Sequence, residues 1–103
     1  MHVIVLVSCP DAKTAESISK ALLAKRLAAC TSTIPGVRSR YWWKGKLEAA
    51  DEVLLIAKTT ADRYPDVEKA VKTLHPYELP EVIALPIIKG SREYLDWITK
   101  ETR

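Results

Sequence analysis

Apolar residues run unbroken from Val3 to Val7 and most are β-branched, a pattern that predicts a strand buried on both faces. Pro10 and Asp11 end the run, and Asp11 is placed to cap a following helix. Over Ala12 to Ala29 the period changes. Ala15, Ile18, Leu22 and Ala29 recur at helical spacing, while Lys13, Glu16, Ser17 and Lys20 fall mostly to the other side. The second half repeats this order. Val53 to Ala57 reads as another buried strand, and Tyr64, Val67, Val71 and Leu74 keep the spacing of an amphipathic helix. Pro65 fits its first turn, where no helical N–H is lost, and His75-Pro76 stops it. Val82 to Leu85 resumes a strand that Pro86 confines to a sheet edge or a bulge. Past Gly90, Ser91 caps a short last helix carrying Tyr94, Leu95, Trp97 and Ile98.

The segment between the halves departs from this rhythm. Lys44-Gly45 marks a tight hairpin turn, with the glycine supplying a positive φ. The flanking arms are roughly ten or more residues each, beyond the usual five or six, and Pro35-Gly36 marks a kink or bulge in the first. The predicted order is therefore β α β β α β α. That is an α/β (α+β) fold of the ferredoxin-like, split βαβ kind, with a long central β-hairpin and an extra C-terminal helix. At 103 residues the expectation is one domain spanning 1–103.

Composition narrows the classes of function. Sixteen basic residues are offset by 13 acidic ones along the same segments, for a net charge of +3, which implies no polyanion-binding face. The apolar start is too short for a membrane span and lacks a basic leader region, so the cytoplasm is the expected location. The two cysteines, Cys9 and Cys30, fit a reducing compartment as small buried hydrophobes. The chain contains neither Asn nor Gln, and with abundant Lys, Arg and Glu this predicts a thermostable, heat-adapted protein.

Candidate chemistry is sparse. Tyr41, Trp42 and Trp43 stand together among Arg38, Arg40, Lys44 and Lys46, too many rings for the core of so small a chain. A nucleic-acid stacking platform is one reading, but it needs aromatics on the central strands, which are aliphatic here. Self-association through the rings and long arms is the plainer one. No two of His2, His75, Cys9 and Cys30 fall at a ligand-pair spacing. There is no GxGxxG, no phosphate loop and no GxSxG elbow. The acidic residues Glu48, Asp51, Glu52, Glu78 and Glu81 could form an acid/base pair, yet read equally well as surface charges. The chain is not expected to be an enzyme, and no organic cofactor is predicted.

Three stretches taken together carry a resemblance: LAKRLAACTSTIPGVRSRYWWKGKLEAADEVLLIAKTT, HPYELPEVIALPI and the terminal YLDWI. In order and spacing they resemble the CutA family of divalent cation tolerance proteins over essentially the whole chain. The matching positions are Cys30; Tyr41, Trp43, Gly45 and Lys46; and His75, Pro76, Tyr77, Pro80 and Glu81. The resemblance implies a cytoplasmic homotrimer in which the hairpins, with Tyr41, Trp42 and Trp43, extend one subunit's sheet onto the next. It implies a metal-responsive, non-catalytic role with weak binding of Cu(II) or another divalent cation. Where some relatives carry a first-strand cysteine and two successive histidines, this chain has Val7, Leu74 and His75. That leaves His75, with Cys30 or a hairpin carboxylate, as the candidate metal ligands, and Cys9 points the same way as Val7. The architecture is also similar to the PII signalling proteins. A rival function is therefore an adaptor holding a small effector between subunits, near Lys58, Tyr77 and Glu81, and answering to an unknown protein partner.

Overall fold

The computed structural model describes residues 1–103. The elements are β1 (His2–Cys9), α1 (Ala12–Ala24), β2 (Cys30–Trp43), β3 (Lys46–Thr60), α2 (Tyr64–Leu74, entered through a 3-10 turn at Ala61–Arg63), β4 (Val82–Pro86) and α3 (Arg92–Glu101). The four strands form one antiparallel sheet in the order β2-β3-β1-β4, as the ferredoxin-like reading requires. Pro86 closes β4 on the sheet's edge, where its missing N–H costs no ladder bond.

Local chemistry sets the boundaries. The Asp11 carboxylate accepts from the Thr14 N–H at 2.8 Å and starts α1, and Ser91 does the same for α3 through the Tyr94 N–H. The periodicity predicted that α1 would continue to Ala29, and it does not. Arg26 turns left-handed at φ 55, Leu27 N–H reaches Leu22 C=O, and Arg26 N–H reaches Leu23 C=O. This is a Schellman ending without its usual glycine, so the sequence carries no stop signal there.

The hairpin turn is a two-residue loop. Trp43 pairs with Lys46, and Lys44 and Gly45 both take positive φ, 50 and 80. Gly36 at φ 75 sits in the register shift between Ile34 and Val37, where the bulge was expected. Beyond the Cys9–Val53 pair at the end of β1, the two arms run on as a bare ribbon. It gives the molecule its 44 Å long axis against 26 and 22 Å.

The core lies on one side of the sheet. Val3, Val5, Val7, Leu55 and Ala57 face α1 and α2, against Ala15, Ile18, Leu22, Val67 and Val71. The expectation that β1 is buried on both faces is corrected. Its alternate residues, His2, Ile4, Leu6 and Ser8, are only half-buried, because neither α1 nor α2 covers the outer face of the sheet. The apolar run reflects two apolar faces, one of which this chain leaves largely open.

Candidate functional site

Strand register orders that outer face into rows. Leu85, Ile4, Lys58 and Cys30 lie side by side; Ile83, Leu6, Ile56 and Ser32 form the next row; Ser8, Leu54 and Ile34 the third. Ile34, Ile83 and Leu85 are 45%, 47% and 47% exposed. An antiparallel sheet that faces water on one side normally shows polar residues there. This one shows isoleucine and leucine.

At the hairpin end of the face a cavity of about 680 Å³ opens between the ribbon and the loop that follows α2. Arg40, Tyr41, Trp42 and Trp43 form one wall, Tyr77 and Glu81 the other, and Ser8 and Glu52 also line it. The loop is placed by His75. As the last residue before Pro76 it is extended at ψ 134, which turns the chain around the end of β1. Its ring is 7% exposed. Nε2 lies 2.7 Å from the Ser8 carbonyl and Nδ1 accepts the Tyr77 N–H at 3.2 Å. A carbonyl only accepts, so Nε2 carries the proton and both nitrogens are engaged.

Tyr77 then reaches the outer face, where its hydroxyl donates to Glu52 Oε2 at 2.8 Å. Burial first, then the bond and charge of Glu52, push the Tyr77 phenol well above its ordinary value. Glu52 is only 6% exposed and takes part in none of the chain's five salt bridges. Glu78, by contrast, pairs with Lys44 across the cavity mouth at 3.9 Å. On the inner side of the same end, burial, with help from Asp11 and Glu52, pushes the Cys9 thiol up to about 11. Cys9 is fully enclosed beside Val7.

Lys58 and Cys30 stand at the far end of the face. Tyr94 of α3 folds over them: the Lys58 ammonium donates to its hydroxyl at 3.3 Å and lies 5.5 Å from its ring centre. Cys30 Sγ is 3.8 Å from the same hydroxyl. The Tyr94 bond, and then the neighbouring thiol, hold the Lys58 ammonium more firmly protonated than usual.

The structure thus brings Tyr77 and Glu81 together with Tyr41, Trp42 and Trp43 but separates Lys58 from them. It likewise separates Cys30 from His75. Cys30 pairs with Lys58, four positions along β3 from the Leu54 that pairs with Ser8, a gap of roughly 13 Å. No group of three or more His, Cys, Asp or Glu side chains converges to hold a metal ion, so the side chains of one copy do not fit a metal centre. Two residues were named in the sequence without the roles they take here, Glu52 as one of several acids and Tyr94 as a face of the last helix. Glu52 alternates in step with Leu54 and Ile56, a signal that it belongs to the apolar outer face. Tyr94 gave none, because its role depends on α3 folding back.

A model of the CutA1 divalent ion tolerance protein matches residues 3–101. The chain belongs to the CutA1 family. The divalent-cation tolerance protein CutA of Thermus thermophilus is 46% identical over 102 residues, covering 99% of each chain. Its Escherichia coli counterpart is 42% identical over 101 residues, covering 98% of this chain and 90% of that one. The solved T. thermophilus structure superposes with a TM-score of 0.97 over the whole of both chains. CutA from Archaeoglobus fulgidus, 41% identical, superposes at 0.96, also over the whole of both.

That last relative corrects one expectation. It is described as a periplasmic divalent cation tolerance protein, so family membership does not carry a cytoplasmic location. The physical ground was thin as well, since a missing sorting signal does not fix a compartment. No helix is long and apolar enough to cross a membrane. For this CutA1 family member the geometry offers an apolar sheet face, an aromatic cavity at one end of it and a thiol–phenol–ammonium cluster at the other.

Proposed function

We propose that this family member acts as a homotrimer that responds to divalent cations without catalysing a reaction, residues 1–103 working as one unit. The observation that carries the reading is the open outer face. Leu6, Ile56 and Ile83 share one row there, and a projecting ribbon exposes Trp42 at 73% and Leu47 at 62%. A two-stranded ribbon is marginal in water unless something packs on it, and copies of the chain supply matching apolar surface. A divalent cation such as Cu(II) is then held by groups from more than one copy, because His75 has both nitrogens engaged and Cys30 is distant from it. Calorimetric titration of Cu(II) into the unmodified protein and His75→Ala tests this. Matching isotherms are expected, and a site lost with His75 would make His75 a ligand and contradict its exclusion.

The cavity favours a second reading, a small effector held beside Tyr77 and Glu81. Its volume of about 680 Å³ is that of ordinary small-molecule sites. Lys58 does not line this cavity within one chain. Mass spectrometry of the gently purified assembly tests this reading, with a retained organic mass in support and bare subunits against.

A further inference from the structure

Glu52 is the least accounted-for charge in the molecule. It is only 6% exposed, and its one hydrogen bond, from the Tyr77 hydroxyl, occupies Oε2. Oε1 accepts no bond from the chain, and it is not among the fully enclosed polar atoms left without partners. Glu52 lines the cavity, and this oxygen is the acceptor it has left to offer a ligand there. A carboxylate so far out of water is costly without a compensating cation, and none of the chain's ion pairs supplies one. The rest of the lining suits a cation of a particular kind. Tyr41, Trp42, Trp43 and Tyr77 present rings, and the charged lining is Glu52, Glu78 and Glu81 against Arg40 alone.

We propose that this cavity binds a protonated organic amine, its ammonium hydrogen-bonded to Glu52 Oε1 and its carbon body laid against the rings. Charge-assisted bonds are the strong ones, and an ammonium near a Trp or Tyr face gains a further attraction from the ring quadrupole. A bare divalent ion fits less well, because it demands several oxygen ligands and no such group converges here. An anion would meet Glu52. Alkyl- and arylammonium ions combine the low charge density and apolar surface that the lining offers.

This deepens the small-effector reading, and the two can fail separately. The test titrates the unmodified full-length protein with benzylammonium chloride, its neutral isostere benzyl alcohol, and sodium benzoate, at constant ionic strength. Tryptophan fluorescence reports on Trp42 and Trp43, with Trp97 on α3 lying outside the cavity. The expected result is saturable binding of the amine at least about tenfold tighter than the alcohol, and no response to benzoate. In Glu52→Gln, which keeps an acceptor for Tyr77, that discrimination should vanish. Equal binding of amine and alcohol by the unmodified protein, or tighter binding of benzoate, overturns the proposal while leaving an effector site. No response to any of the three overturns both. A flat amine titration in which Glu52→Gln also dissociates the oligomer assigns the counter-ion to a second copy and overturns it too. The comparison of ligands needs no variant, so a Glu52→Gln chain that misfolds does not shield the claim.

Discussion

At one end of the outer sheet face Lys58 is held under the Tyr94 ring and hydroxyl, with Cys30 alongside, and is still partly open to solvent. At the other end, six positions along β3, Glu52 is more deeply buried and has only a neutral phenol for company. The two ends differ because of what covers them. α3 returns to the Lys58 end, whereas the Glu52 end is flanked by a bare ribbon and the His75–Glu81 loop. Neither charge has a counter-ion within the chain. The cation keeps a ring, a hydroxyl and solvent around it, while the buried anion has one phenol and a free oxygen. Between the two lies a strip of Leu6, Ile56 and Ile83, apolar and unshielded, which joins the ends into one surface.

Breaking the strip should have the largest effect. Ile56→Asp puts a charge at its centre, and the expected outcome is that the proposed trimer does not form, with light scattering giving the 11.5 kDa of a single chain. Next is the contrast between the ends themselves. Glu52→Gln removes a buried unpaired charge and should raise the ligand-free unfolding free energy by about 1–2 kcal/mol. Lys58→Met removes a solvent-screened charge and should change it by no more than about 0.5 kcal/mol. Paired chemical denaturation curves measure both, and a larger effect at Lys58 would reverse the comparison.

A pH effect follows from Cys9, whose thiol is pushed from 9.0 up to about 11, burial acting first and Asp11 and Glu52 after it. The folded chain keeps a proton that the unfolded chain gives up. The contribution is therefore full below about pH 9 and is lost as pH rises toward about 11. Denaturation midpoints should fall over that range, and Cys9→Ala should flatten the fall. The smallest expected difference is chemical. A thiol reagent near neutral pH should label Cys30, which is part-exposed, and leave the enclosed Cys9 untouched. Mass spectrometry after brief exposure reads this directly.

Most of the fold was legible because local signals agreed with tertiary packing. Asp11, Lys44-Gly45, Pro65, His75-Pro76 and Ser91 each mark a boundary that the backbone respects. The end of α1 was not, since Arg26 takes a conformation usually signalled by glycine. Continuous apolar strands also hid an ambiguity: Val3 to Val7 reads alike whether its second face is covered by the same chain or by another. The site was harder to see. Tyr77 and Glu81 emerged from the motif around His75, and the aromatic tip from its own excess of rings. Glu52 looked like one of many surface acids, because its burial depends on Tyr77 arriving from a different element. His75 and Cys30 came forward as ligands through the family resemblance. Hydrogen bonds to Ser8 and Tyr77, and the distance along β3, are facts of packing that no spacing in the sequence encodes.

The claim on which the rest depends is that the outer sheet face is built to be covered by copies of this chain. Multi-angle light scattering on the unmodified protein across a hundredfold dilution tests it most directly. A constant mass of three times 11.5 kDa is expected; a mass of one chain throughout would show that copies do not cover the face.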